Sequence, residues 1–159
     1  MIDTPEIKQT PAQHTACIHL KVTLAEMMQS FGPAVGELVA ALTEQGMPPA
    51  GAAFAHHFRI TCGDDGVPSG FDFEVGFITD KPAAATGRIY PSQWPAQKVA
   101  HTTYHGGYEG LPGAWGEFSA WMESNGLKQA EDLWEHYVAG PQTTPDSSQW
   151  RTELYRPLL

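Results

Sequence analysis

The chain has 159 residues, which suffice for one domain with a substantial hydrophobic core but not for two domains of ordinary size. Hydrophobic residues make up 42% and charged residues 17% of it, a composition typical of folded rather than disordered proteins. The net charge of −9 at pH 7 argues against nucleic acid as the main partner, because phosphate contacts need clustered Lys and Arg. It suits a cationic or neutral ligand, although an acidic surface without functional meaning is the simpler alternative.

The cysteines and the N-terminus bear on where the protein acts. Cys17 and Cys62 form no CxxC motif and no disulfide framework, which predicts reduced thiols. Residues 1–6 lack the basic segment and following apolar run of a secretory signal. No stretch of the chain approaches the roughly 18 apolar residues needed to span a membrane. We therefore expect a cytoplasmic protein without membrane association.

The first half of the chain predicts three strands and one helix. Residues 12–22 contain Thr, Val and Ile at a density that favours a strand. A helix follows, because four apolar residues have the i, i+3, i+4, i+7 spacing of one helix face: Val35, Leu38, Val39 and Leu42. Gly46 stands where a left-handed C-cap is expected. Residues 54–61 and 71–79 then predict a strand pair around the turn at 63–66.

The second half predicts the same elements in the same order, after a connection at residues 80–87. Residues 96–105 predict a strand. The apolar face of the next helix consists of Trp115, Phe118 and Met122, extended by Leu111. Gly126 is its expected C-cap. Residues 133–138 and 150–156 predict the final strand pair.

Internal identity supports a duplication. At an offset of 80 residues, identical or aromatic residues recur in register: Ala34/Ala114, Gly36/Gly116, Glu37/Glu117, Ala40/Ala120, Gly46/Gly126, Phe54/Trp134 and His56/His136. Two copies are too few for a solenoid and fit two half-domains that share one core. We expect an α+β fold in which two β-α-β-β units place their helices against an antiparallel sheet. The predicted domain covers residues 1–159, with repeats at about 10–80 and 88–158.

One strand of the second copy carries the most informative departure from the repeat. Side chains alternate along a strand, so Glu135 and Tyr137 project from one face, and Trp134 and His136 from the other. A carboxylate among aromatic rings suits a desolvated cation, through charge pairing and cation–π attraction. A solvated glutamate at a sheet edge is the alternative, and Trp134 and His136 are most simply packing residues. The first copy has Ala55 where the second has Glu135.

Other candidate motifs are weaker. The loop 105–111 has paired glycines before a helix and predicts a tight turn that presents Tyr108, but it lacks the spacing and the lysine of a phosphate-binding loop. Seven histidines occur without an HExxH motif or a Cys/His cluster, so we expect no metal site. There is no GxSxG motif, and neither cysteine has an evident catalytic partner.

Three segments and the second predicted helix resemble the GyrI-like family, also known as the AraC-type bacterial effector-binding domain. The segments are 103–111, 133–137 and 152–158, and the helix is the one that bears Trp115 and Trp121. The resemblance implies a pseudo-two-fold domain of two β-α-β-β units with a central ligand cleft. It also implies that a cleft glutamate, at the position of Glu135, contacts the charge of a hydrophobic drug, with Tyr137 beside it.

We therefore expect a standalone domain that binds hydrophobic, cationic aromatic compounds, in drug or toxin sensing or sequestration. The expected ligand-binding residues are Glu135, Tyr137, Tyr108, Tyr155, His57, Phe73 and Trp134. No cofactor is expected, and we expect a monomer or a homodimer. Both predicted helices belong to the repeats, so we expect no helix-turn-helix segment and no direct nucleic acid binding.

Two alternatives to binding stay open, although we expect binding rather than turnover. Some relatives hydrolyse strained, cyclopropane-containing toxins, and in that case Glu135 would be the catalytic residue. Another relative inhibits DNA gyrase, which would require a protein-interaction surface instead of a cleft. The sequence does not separate the first alternative from binding, because the same carboxylate serves both.

Overall fold

The structure, a computed structural model, describes residues 1–66 and 68–159 of the chain. These residues form two compact units. We refer to Met1–Thr10 together with Gln97–Leu159 as the terminal unit, and to Pro11–Ala96 as the middle unit. Among the described residues, no helix is both long and apolar enough to cross a bilayer.

Strands and helices follow one another in an order that repeats. In chain order they are β1 (Glu6–Thr10), β2 (Gln13–Thr23), α1 (Leu24–Glu44), β3 (Phe54–Cys62), β4 (Pro68–Thr79), β5 (Ile89–Trp94), β6 (Gln97–His105), α2 (Leu111–Ser124), β7 (Leu133–Ala139) and β8 (Arg151–Pro157). The series β2-α1-β3-β4 recurs as β6-α2-β7-β8. The α+β class and the repeated β-α-β-β order predicted from the sequence are thereby confirmed.

The middle unit places α1 against an antiparallel sheet with the strand order β3-β4-β2-β5. Three residues at four-residue spacing form the fully buried face of the helix: Ala34, Leu38 and Leu42. Val39, predicted to share that face, is instead 39% exposed, because the buried stripe runs along the four-residue spacing from Ala34. Phe31, one turn before this stripe, stacks on Phe73 of β4 with ring centroids 6.3 Å apart.

Helix α1 begins at Leu24, well before the periodic residues that predicted it. Thr23 and Glu26 form a capping box, in which the Thr23 hydroxyl accepts from the Glu26 N–H at 3.3 Å and the Glu26 carboxylate accepts from the Thr23 N–H at 3.0 Å. Pro33 lies inside the helix, where it has no N–H to donate to the preceding turn. The capping box stabilises the first turn of the helix.

The terminal unit places α2 against an antiparallel sheet with the strand order β1-β6-β8-β7. Its core cluster joins helix and sheet, and it consists of Ala100, Tyr104, Ala114, Phe118, Met122 and Leu154. The helices of both units end in the predicted manner, since Gly46 and Gly126 have φ values of +75° and +67°. The structure also contains two strands that the sequence did not predict, β1 and β5.

Candidate functional site

The carboxylate of Glu135 is buried in the terminal unit and receives two hydrogen bonds from aromatic side chains. Glu135 is 7% exposed. The Tyr137 hydroxyl donates to Oε1 at 2.8 Å, and the Trp115 indole Nε1–H donates to Oε2 at 2.7 Å. Tyr137 reaches the carboxylate because it projects from the same face of β7, whereas Trp115 comes from α2. Each carboxylate oxygen thus has an aromatic donor.

Packing explains why this face of β7 meets the helix. Glu135 lies opposite Leu154 in the β7–β8 ladder, and Leu154 belongs to the core cluster beneath α2. Trp115 stacks at a tilt on Phe118, with centroids 5.7 Å apart, and the Arg156 guanidinium lies 5.9 Å from its ring centroid. These contacts hold the indole with its N–H directed at Glu135.

Tyr108 adds a third aromatic ring to this site. A short 3₁₀ turn, Tyr108–Gly110, precedes α2, and the Tyr104 hydroxyl supports it by donating to the Gly107 carbonyl at 2.9 Å. The Tyr108 ring meets the Tyr137 ring edge to face, with centroids 5.6 Å apart. Gly140 leaves room for it, because a Cβ at that position would lie 2.5 Å from the Tyr108 hydroxyl.

Both tyrosines near Glu135 remain protonated at neutral pH. Burial, followed by the negative charge of Glu135, raises the pKa of Tyr137 well above its ordinary value. The same two causes, in the same order, raise the pKa of Tyr108. Neither phenol adds negative charge, so the carboxylate is the one acidic group of this aromatic cluster. An arrangement of this kind can attract a cation to the rings and the carboxylate together.

The reverse face of β7 and β8 carries two other predicted site residues. Trp134 is 1% exposed and lies opposite Tyr155 in the ladder. The Tyr155 hydroxyl donates to Glu153 at 3.1 Å, and its ring packs against His101 with centroids 4.7 Å apart. Because neighbouring residues of a strand face opposite ways, Trp134 and Tyr155 are not beside the Glu135 carboxylate.

The remaining two predicted site residues lie in the middle unit. His57 on β3 is 4% exposed and stacks on Phe73 of β4, with centroids 4.9 Å apart. Phe71 is a further ring neighbour of His57, at 5.8 Å. This aromatic group has no counterpart of the carboxylate, since Ala55 occupies the position that corresponds to Glu135. The structure therefore brings together Glu135, Tyr137 and Tyr108 among the predicted residues.

Trp115 belongs to this cluster but is not among the predicted ligand-binding residues. The sequence places it on the apolar face of α2, the helix that shares in the family resemblance. A signal was present in the repeat, because Trp115 stands where the first copy has Val35, just as Glu135 replaces Ala55. Two departures from the repeat that meet in space mark the site better than either one alone.

Across residues 1–66 and 68–159, no three His, Cys, Asp or Glu side chains are grouped so that they could hold an ion. The Glu135 cluster itself contains a carboxylate, two phenols and an indole.

Comparison with known proteins identifies relatives of this fold. A family model described as the GyrI-like small molecule binding domain matches residues 3–159. No curated protein matches the sequence. The solved C-terminal domain of EcmrR is similar, with a TM-score of 0.77 at 19% identity over 98% of this chain and 97% of that domain. The chain spans 57% of the EcmrR chain in the structure of its DNA complex.

Two further solved structures share the fold at lower identity. A hydrolase encoded by lin2189 from Listeria innocua has a TM-score of 0.68 at 12% identity, over 98% of this chain and 91% of that chain. SAV2435 bound to tetraphenylphosphonium has a TM-score of 0.65 at 9% identity, over 99% and 94%. At such identities the structural likeness establishes the fold alone.

Proposed function

The chain belongs to the GyrI-like small molecule binding domain family, and we propose that it binds hydrophobic aromatic cations with Glu135 as the charge partner. Tyr137, Tyr108 and Trp115 supply the aromatic surface around that charge. The proposed role is the sensing or sequestration of drugs or toxins in the cytoplasm, a compartment that suits the two free cysteines.

The observation that carries the proposal is the buried carboxylate with aromatic donors on both oxygens. Removing a carboxylate from water is costly unless hydrogen bonds and an opposite charge compensate for it. The bonds from Trp115 and Tyr137 provide part of that compensation. A ligand cation provides the remainder, and the ring faces attract it further because it is desolvated there.

The solved structures support the class of ligand. SAV2435 is described as bound to tetraphenylphosphonium, a hydrophobic aromatic cation. The structural match between the two proteins covers 99% of this chain. We therefore take tetraphenylphosphonium as the first test compound and triphenylphosphine oxide, which has similar rings without the net charge, as its neutral counterpart.

The test compares the affinities of the two compounds for Glu135→Gln and for the unchanged protein. Loss of the charge should weaken tetraphenylphosphonium about 10- to 100-fold, while binding of the neutral compound changes less than about threefold. Glu74→Gln is the matched control, because Glu74 is likewise a buried acid, 4% exposed, but lies in the middle unit. Equal losses for both compounds in Glu135→Gln, by calorimetric titration, would show that Glu135 is not the charge partner.

Hydrolysis of a strained electrophilic compound is the second candidate function. It is favoured by a carboxylate hydrogen-bonded to a phenol that stays protonated, since the pair could take a proton from water and give one to a leaving group. The hydrolase from Listeria innocua has the same fold. Catalysis is favoured if the protein forms product from a cyclopropane-bearing substrate and Glu135→Ala abolishes that product. If the substrate stays unchanged, hydrolysis is excluded for that compound and binding is the better proposal.

A further inference from the structure

A second carboxylate, on the reverse face of the β7–β8 pair, joins three strands. Glu153 of β8 accepts from the Tyr155 hydroxyl at 3.1 Å. Its oxygens also lie 3.5 Å from His101 Nε2 and 3.6 Å from His136 Nδ1. His101 belongs to β6 and His136 to β7, so the Glu153 carboxylate bridges both neighbours of its own strand. None of these groups takes part in the Glu135 site.

The bridge lies beside an irregularity in the ladder. His136 pairs with Glu153, and the next pair along is Ala139 with Arg151, so β7 has one extra residue in this interval. Tyr137 lies within this interval, between the pairs formed by His136 and by Ala139. His136–Glu153 is the last regular pair before it.

We propose that His136 and Glu153 position the cation site, by holding β7 in the register at which Tyr137 and Trp115 both reach Glu135. The inference rests on the proposed function. Consecutive strand residues face opposite ways, so His136 contacts Glu153 on one face while Glu135 contacts Trp115 on the other. A slip or twist of β7 that breaks the first contact withdraws Glu135 from the second.

The charge of Glu153 supports the positioning role of the bridge. His101 and then His136 hold the pKa of Glu153 well below its ordinary value, against the opposing effect of burial. The carboxylate is therefore ionised at neutral pH, where Tyr155 donates to it and the two imidazoles lie within ion-pair distance. The side chains of His101, His136 and Glu153 are 12%, 17% and 27% exposed, so solvent screens them only in part.

The middle unit provides a matched control for this bridge. His56 Nδ1 lies 3.2 Å from Glu74 Oε1, and the two residues are directly opposite in the β3–β4 ladder. A register shift follows there too, between His57 and Arg59. The residue before His56 is Ala55, whereas the residue before His136 is Glu135. A change at His56 therefore disturbs an equivalent His–Glu pair that has no glutamate at the preceding position.

The experiment measures two quantities in His136→Leu and in His56→Leu. The first is the affinity ratio of tetraphenylphosphonium to triphenylphosphine oxide. The second is the indole N–H resonance of Trp115 in the ligand-free protein, assigned with Trp115→Phe among the five tryptophans. His136→Leu should lower the affinity ratio about threefold to tenfold and shift the Trp115 resonance, whereas His56→Leu should do neither.

Conservative variants keep the test decisive. His136→Asn retains a donor near the position of Nδ1 and should restore the ratio and the resonance; Glu153→Gln tests the same bridge if His136→Leu does not fold. A Trp115 resonance that stays fixed in His136→Leu, or that moves equally in His56→Leu, overturns the inference. The proposed function fails separately, if Glu135→Gln leaves the affinity ratio unchanged. In that case the Trp115 resonance of the ligand-free protein still tests whether His136 positions β7.

Discussion

In the terminal unit, a buried carboxylate receives hydrogen bonds from an indole and a phenol, whereas the middle unit has no charged group in the corresponding place. Trp115, Glu135 and Tyr137 correspond, at the 80-residue offset, to Val35, Ala55 and His57. In the middle unit, the rings of Phe31 and His57 both stack on the ring of Phe73. The comparison shows one backbone plan with two different chemistries.

The residues that differ at these corresponding positions depend on one another. Burying a carboxylate costs several kcal/mol unless hydrogen bonds compensate for it. In the terminal unit Trp115 and Tyr137 remove that cost by donating to the carboxylate. Packing positions, in contrast, keep their character in both copies, as the buried pair Phe54 and Trp134 shows.

The largest expected effect tests whether the two copies support the fold equally. Phe54→Ala and Trp134→Ala should each lower the free energy of unfolding by about 3–5 kcal/mol, because each removes a large, fully buried ring. Urea denaturation measures both values. Val39→Ala on the exposed side of α1 is the control and should change the value by less than about 1 kcal/mol. A cost confined to one copy would mean that the units are not equivalent in packing.

The next prediction concerns a position at which the two copies have residues of different size. Gly76 lies opposite Phe54 in the β3–β4 ladder, as Tyr155 lies opposite Trp134 in β7–β8. A Cβ on Gly76 would lie 2.6 Å from the Ala16 carbonyl oxygen, which is backbone and cannot rotate away. Gly76→Ala should therefore cost about 1–3 kcal/mol in urea denaturation. Gly113→Ala, where a Cβ meets nothing within 4 Å, should not destabilise the protein.

A smaller effect concerns how the stability of the protein depends on pH through Glu153 of the terminal unit. The pKa of Glu153 is lower in the folded than in the unfolded chain, so its stabilisation is present above the unfolded value of about 4.3 and is lost as pH falls towards the folded value. Glu153→Gln should remove about 1 kcal/mol of stability at pH 7 and flatten the loss below pH ~4. Thermal unfolding from pH 7 to pH 3 measures this, with exposed Glu123→Gln as control. An unchanged acid limb in Glu153→Gln would contradict it.

The smallest effect on stability concerns Tyr108. Gly140→Ala introduces a Cβ near the Tyr108 hydroxyl, which lies at the end of a side chain that can move. We expect a change in unfolding free energy within about 0.5 kcal/mol but a measurable loss of aromatic ligand affinity, since the ring is displaced. Tyr108→Ala should give the same direction of loss. If Gly140→Ala leaves affinity unchanged, Tyr108 does not contact the ligand.

The sequence predicted the elements whose residue types or spacing are distinctive. Both helices were predicted because apolar spacing reports burial, and strands β2, β3, β4, β6, β7 and β8 because they combine strand-favouring residues with neighbouring turn signals. Strands β1 and β5 were not predicted, because both are short, β1 is mostly polar and β5 contains Pro91. Such strands are formed by backbone pairing with a neighbour, which their own residues do not reveal.

The sequence by itself determined the duplication, the repeated β-α-β-β order and the acidic departure at Glu135, since all three are visible as residue identities in register. Tertiary structure alone decided which groups surround that acid. Strand alternation placed Tyr137 with Glu135, but only the packing of α2 on the sheet directed Trp115 to the carboxylate. Alternation along β8 likewise places Tyr155 beside Glu153 on the reverse face, but only the pairing of strands brings His101 and His136 to that carboxylate. Contacts between residues far apart in the chain depend on the docking of whole elements, and local spacing does not contain that information.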